Sequence, residues 1–176
     1  MQELQELPQH LQIPVVAAPS RDIKMIKQIS TMVEARDAIR LLQDFLKETA
    51  YSQSVEAAND IEHLGKLVFT VMNNGYIWIS YVDELPVGIL IAIKEKNLWA
   101  PKHSELRELV WFVKQEHRKS SIGGRLFKTF CDVGNTLLEQ DKIDGYFTTR
   151  MTTTEDINLE RRGFRLTEKT YLKERT

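Results

Sequence analysis

The chain has 176 residues, 42% of them hydrophobic and 28% charged, with 24 basic against 25 acidic side chains and a formal net charge of −1. That length and balance fit one globular domain able to bury a core, and exclude fibrous and disordered classes and a surface built throughout to grip nucleic acid or anionic membrane. The lone cysteine, Cys131, excludes an internal disulfide framework, and no apolar run approaches the roughly 18 residues that read as a bilayer span.

The opening MQELQELPQH lacks the basic start and apolar centre of a secretory signal, so the expected setting is cytoplasmic. Pro8, Pro14 and Pro19 mark residues 1–22 as an extended or disordered arm, which leaves 23–176 as a single domain. Residues 23–30 can form a first strand. Thr31 followed by Glu34 is a capping-box signal, and Ala35, Ala38, Ile39, Leu42, Phe45 and Leu46 keep helical spacing after it. A second helix is expected over 55–72 with Ala58, Ile61, Val68 and Val71 or Met72 inward, stopped by Asn73-Asn74-Gly75. The period then changes. Residues 76–82 and 87–94 are rich in β-branched and aromatic side chains, so they read as a hairpin turned by Asp83-Glu84-Leu85-Pro86. A loop with Trp99, Pro101 and His103 leads to a strand over 106–113. A long helix over 121–140 then buries Ile122, Leu126, Phe127, Phe130 and Leu137. A strand over 145–151, a short helix over 154–162 and a final strand over 164–173 complete a single α/β (mixed α+β) domain without internal repeats.

The junction before the long helix is anomalous. In His117-Arg118-Lys119-Ser120-Ser121-Ile122-Gly123-Gly124-Arg125, the basic residues Arg118, Lys119 and Arg125 crowd a helix start, where unpaired N–H groups and the helix dipole already favour negative charge. Each of the two glycines also weakens a helix by roughly 1 kcal/mol relative to alanine, a cost that makes sense if something must approach the backbone closely. Phosphate meets both conditions, and ligands of open α/β sheets bind at such strand-to-helix junctions. Neither G-x-x-x-x-G-K-[ST] nor G-x-G-x-x-G is present, which argues against a nucleotide hydrolase or a dinucleotide-binding dehydrogenase.

These residues resemble the GNAT superfamily of acetyl-CoA-dependent N-acetyltransferases. The family signature, Arg or Gln followed by x-x-Gly-x-Gly/Ala, is similar to the run from Arg118 to Gly123, with Ser121 in place of the first glycine, and Leu126-Phe127 match the apolar pair that follows. VDELPVGILIAI resembles the family's second and third strands, ELVWFVKQEHR its fourth strand and pyrophosphate loop, LERRGF its Y-E-K-x-G-F, and TYLKE a last strand of bacterial and phage members. The resemblance covers most of the chain. It implies a central, mostly antiparallel twisted sheet with helices on both faces and splayed fourth and fifth strands. It also implies acetyl-CoA as co-substrate, cradled by the amides of Arg118, Lys119, Ser120, Ser121, Ile122, Gly123, Gly124 and Arg125, with the backbone of Phe112 and Val113 along the pantetheine arm.

An alkylammonium acceptor has a pKa near 10.4, so deprotonating it at pH 7 costs about 4 to 5 kcal/mol, and a carboxylate can take the proton. Glu108 on the fourth strand is the first candidate and Glu105 the second; strand alternation points them opposite ways unless a bulge intervenes. The tyrosine that often serves the family as general acid would fall at Leu159, which leaves Tyr171 or Tyr146 as alternatives. The expected activity is acetyl transfer to a primary amine by direct attack in a ternary complex. The alternative is a catalytically degenerate GNAT-fold binding or inhibitor protein that still holds CoA. The acceptor, small molecule or protein, stays open, as does a homodimer; no membrane partner is expected, and the neutral net charge makes a poor case for nucleic acid. His10, His63, His103 and His117 have no metal-ligand spacing, so no metal is expected. Cys131 reads as a packed core thiol, Trp78 and Trp111 as core aromatics, and His103 as a loop histidine near substrate at most.

Overall fold

A computed structural model describes residues 25–49, 56–149 and 158–167. The arm, Tyr171, the end of the 145–151 strand, most of the 154–162 helix and the later part of the last strand lie outside them. In chain order the elements are β1 (Met25–Gln28), α1 (Met32–Glu48), α2 (Ile61–Asn74), β2 (Gly75–Val82), β3 (Leu85–Lys96), β4 (Ser104–Val113), α3 (Ile122–Glu139) and β5 (Gly145–Phe147), with 3-10 turns at Gln115–His117 and Glu160–Arg162.

The strands form one sheet in the order β1-β2-β3-β4-β5. The first four are antiparallel and β5 lies parallel to β4. β3 explains why the sheet needs helices on both faces. Its run Val87 to Ala92 is almost continuously buried, so alternate side chains must find apolar cover on opposite sides. Ile89 and Ile91 join Ile77, Ile79, Val110 and Phe112 beneath α1 and α2. Leu90 and Ala92 join Trp78, Leu106 and Val113 beneath Ile122, Leu126, Phe127 and Phe130 of α3.

The start of α1 matches the capping-box expectation in full. The Glu34 amide donates to Thr31 Oγ1 at 3.3 Å, and Glu34 Oε2 accepts from the amides of Thr31 at 3.0 Å and Ser30 at 2.8 Å. Lys27 of β1 closes the site with an ion pair. Its ammonium, followed by the Ser30 amide, holds the buried Glu34 carboxyl down at about 2.

Local chemistry corrects two expected boundaries. The second helix, expected from near 55, is interrupted: residues 56–57 are helical, the chain turns at Ala58-Asn59, and α2 begins at Ile61, where Asp60 caps it by accepting from the His63 amide at 2.9 Å. Ile61 is thereby exposed, not inward, while Ala58 is buried ahead of the helix. The hairpin turns on Asp83 and Glu84 alone. Both have positive φ, 48° and 66°, as a two-residue turn matching strand twist requires, so Leu85 and Pro86 belong to β3 opposite Val82 and Tyr81. β5 ends at Phe147, and residues 164–167 are not strand.

Because Glu34 ionises more readily folded than unfolded, its stabilisation is present above the ordinary carboxylate pKa and is lost as pH falls toward 2. Glu34→Gln is expected to cost about 2 kcal/mol at pH 7 and progressively less below pH 4, measured as the pH dependence of the denaturation midpoint.

Candidate functional site

β4 is paired on its β5 side for only three positions, Glu105 with Gly145, Leu106 with Tyr146 and Arg107 with Phe147. From Glu108 to Val113 no described strand lies against that edge, so the sheet opens into a fork. The expected splay of the fourth and fifth strands is therefore present. At the same point β4 carries a bulge: Ile91 pairs with Val110 and Ala92 with Glu108, which leaves Leu109 unopposed. The extra residue reverses the alternation. Glu108 and Leu106 share the α3 face, whereas Val110 and Phe112 turn to the α1 face.

Glu108 sits in the crotch of the fork, 6% exposed. The Thr148 hydroxyl donates to Glu108 Oε2 at 2.9 Å and the Thr149 amide donates to the same oxygen at 3.0 Å. Burial pushes the carboxyl above its usual range, against the opposing pull of those two donors. A carboxylate so placed is more basic than an exposed one.

Glu105 lies elsewhere. Its register partner is Glu95, which puts it on the opposite face of β4 from Glu108, as strand alternation requires when the bulge falls beyond both. Arg107 pairs with it at 3.1 Å and Asn97 donates to it, so its charge is neutralised within the protein. It lines a shallow cleft of ≈ 230 Å³ with Asn97, His103, Asp144 and Phe147. His103 Nδ1 is 3.0 Å from Asp144, at the end of β4 remote from the fork mouth. A hollow of ≈ 440 Å³ near Lys94 and Lys96, at the C-terminal end of α2, is likewise away from the fork.

Beyond Val113 the chain makes its 3-10 turn and enters α3. The amides of His117, Arg118 and Ser120 are spent on carbonyls of the loop, and that of Ile122 reaches the Ser120 hydroxyl at 3.3 Å. Among the described residues, the amides of Lys119, Ser121, Gly123 and Gly124 have no acceptor. Ser121 is the N-cap residue, but its side chain makes no cap bond, contrary to the role its position suggests. Ser120 supplies the hydroxyl instead.

The cations at this end divide by function. Arg118 is used structurally: Nε donates to the Val113 carbonyl at 2.9 Å, its far nitrogen pairs with Glu48 at the end of α1, and its guanidinium lies 5.6 Å from the Phe112 ring centre. Lys119 and Arg125 have no acidic partner among the described residues. The glycines also divide. A Cβ on Gly124 would meet nothing within 4 Å, and one on Gly123 would make ordinary contacts with Val113 and Trp111. A Cβ on Gly134 would lie 2.8 Å from the Tyr146 ring, so that glycine is needed by the packing of α3 on β5.

Tyr146 is committed to the same packing. Its ring meets Phe130 and Phe164 edge-on, and its hydroxyl donates to Asn135 at 3.0 Å. Leu159 packs against the α3-side core, and its carbonyl accepts from the amides of Arg162 and Phe164. Cys131 is half-buried and its thiol is pushed up by burial, which suits a packed thiol rather than a nucleophile. Trp78 is core, whereas Trp111 is half-buried and stacks on Phe127 at 4.6 Å. Among the described residues no His, Cys, Asp and Glu group could hold a metal, and no helix is long and apolar enough to cross a membrane. Thr148 and Thr149 were not anticipated from the sequence.

No protein-family model matches the sequence, and no curated protein is significantly similar to it. Solved structures do match the fold. A GNAT family acetyltransferase of Staphylococcus aureus aligns over 85% of this chain and 97% of its own, with a TM-score of 0.57 at 14% identity. A ribosomal-protein-alanine N-acetyltransferase of Brucella melitensis aligns over 85% and 97%, with a TM-score of 0.59 at 13% identity. The aminoglycoside N-acetyltransferase AAC(6')-Iy, in complex with CoA, aligns over 90% and 99%, with a TM-score of 0.62 at 11% identity. The chain has the fold of the GNAT acetyltransferases: a mostly antiparallel sheet with a parallel fifth strand and helices on both faces.

The glycine contrast is testable. Gly134→Ala is expected to destabilise by about 1–3 kcal/mol through overpacking against Tyr146. Gly124→Ala is expected to raise the melting temperature through helix propensity.

Proposed function

We propose that the protein is an N-acetyltransferase that moves acetyl from acetyl-CoA to a primary amine by direct attack, with Glu108 as general base. The observation that carries this reading is the alignment of three features along one unpaired strand edge: a buried, basic carboxylate at the crotch, an open backbone ladder, and an anion cradle at its far end.

The cradle fits a diphosphate. The free amides of Lys119, Ser121, Gly123 and Gly124 supply donors, Lys119 and Arg125 supply unspent charge, and the bare surface at Gly124 admits close approach. Five residue steps along β4 lead from Glu108 to Val113, about 17 Å of extended chain. An amide-containing arm lying on that edge can pair with it as an added strand would. Phe112 and Val113 would offer backbone groups, although the Val113 carbonyl already accepts from Arg118 and so has one lone pair left. When bound there, acetyl-CoA supplies an acetyl thioester at the fork.

Glu108 takes a proton from the acceptor nitrogen as it attacks. Burial raises its affinity for that proton, and the hydrophobic floor around Ala92 and Leu106 excludes competing water. Neither Leu159 nor the tethered Tyr146 serves as general acid in this reading. The departing thiolate takes its proton from Tyr171, which lies outside the described residues, or from solvent. The acceptor is an amine of small-molecule or protein origin; Glu105, already neutralised by Arg107, is not assigned a catalytic role.

One observation favours a second reading, a CoA-holding protein without turnover: Leu159 occupies the expected acid position and packs, half-buried, against the α3-side core. Thiol release assayed over a panel of amines separates the two. The enzyme reading expects Glu108→Gln to lower kcat/KM by about 10²–10⁴, with CoA affinity kept and no loss of thermal stability at pH 7, because a raised carboxyl pKa marks a charge that costs stability when ionised. CoA binding with no thiol release from any amine would instead establish the second reading.

A further inference from the structure

We propose that Thr148, together with the amide of Thr149, is the positioning device of the site: it commits one oxygen of Glu108 to the protein and reserves the other for the acceptor's proton. This rests on the reading of Glu108 as general base and goes further, to the oxygen atom that acts and the residue that selects it.

Both hydrogen bonds fall on Oε2, at 2.9 Å from the Thr148 hydroxyl and 3.0 Å from the Thr149 nitrogen. Among the described residues nothing donates to Oε1. The two donors differ in kind. The Thr148 hydroxyl can turn to accept but the Thr149 amide can only donate, and with both lone pairs of Oε2 taken a proton placed there would have to displace one of them. The incoming proton is therefore directed to Oε1. Two attachments at one oxygen also fix the carboxylate plane, which a single hydrogen bond would leave free to turn. The device stands where the β4–β5 ladder ends, one residue past the last pair, Arg107 with Phe147.

Among the described residues, charge from neighbouring elements does not substitute for it. On the same face, Ala92 of β3 is the register partner of Glu108, and Leu106 of β4 and Tyr146 of β5 are its ladder neighbours. From α3, Phe130 and Asn135 are spent on Tyr146, and Lys128 and Asp132 pair with each other at 2.7 Å. Arg107 is turned to the opposite face with Glu95 and Glu105. Lys94, the register partner of Leu106, lies on this side of the sheet too but is exposed to solvent, and Arg162 lies 5.5 Å from the Phe127 ring centre. The two threonine donors are thus what favours the ionised form against burial.

The test compares Thr148→Val, which keeps the shape and removes the hydroxyl, with Thr148→Ser, which keeps the donor. Two readouts are taken on the full chain: carboxyl-carbon NMR titration of Glu108, and the pH profile of kcat/KM with acetyl-CoA and an accepted amine. In Thr148→Val the Glu108 titration and the acidic limb of the profile are expected to move up together by about one pH unit, with kcat about tenfold lower, KM for acetyl-CoA unchanged, and Thr148→Ser restoring both. An unmoved NMR titration in a folded Thr148→Val variant overturns the positioning proposal by itself. A shifted titration beside a fully active Glu108→Gln variant overturns the base reading, and with it the catalytic role of the hold.

Discussion

A parallel strand that pairs with its neighbour for three residues and then lets go is the constraint on which the rest of this structure depends. Backbone N–H and C=O groups along a strand edge demand partners, and a sheet would ordinarily satisfy them by continuing the ladder. Here β5 stops at Phe147 and the chain leaves the edge. Two devices make that departure stable. Below the fork, Tyr146 wedges between Phe130 and Phe164 over Gly134, fixing β5 against α3. At the fork, Glu108 takes up the hydroxyl and amide of the two residues that have just lost their strand partners. Along the remaining edge, from Glu108 to Val113, no described strand pairs with β4.

The far end of that edge carries a second imbalance of the same kind. A helix start with a positive dipole end and no acidic residue in its first turn is flanked by Arg118, Lys119 and Arg125. The protein compensates only one of these. Arg118 is held by Glu48 and the Val113 carbonyl, which braces the loop between the end of α1 and the end of β4 and so fixes where the free amides point. Lys119 and Arg125 have no acidic partner among the described residues. Splitting the cations in this way separates building the cradle from filling it.

The sequence made much of this legible because several of its signals are local. The Thr31–Glu34 box, the burial of Ile122, Leu126, Phe127 and Phe130, and the basic helix start each follow from residues within one or two turns of each other. Boundaries were missed where a weaker local signal won, as when Asp60 capped a helix whose apolar spacing seemed to start earlier, or when Asp83 and Glu84 alone made the turn. The hold on Glu108 was not legible at all. Thr148 and Thr149 are 40 and 41 residues away in sequence, and a threonine pair at the end of a strand has no feature that marks it as a carboxylate's partner. Only the fork brings them together.

The proton inventory at the fork then limits the chemistry. Tyr146 cannot swing to a thiolate without abandoning Asn135 and the aromatic stack that anchors β5, and Leu159 is part of the same apolar layer. Phe164 joins that layer to α3 through Phe127, on which Trp111 of β4 also stacks. The packing that anchors β5 thus spends Tyr146, which is held by Asn135 and the aromatic stack. What remains among the described residues is a single buried carboxylate with one oxygen anchored. In the proposed acetyl transfer, such a carboxylate suits the step that removes a proton from the attacking amine.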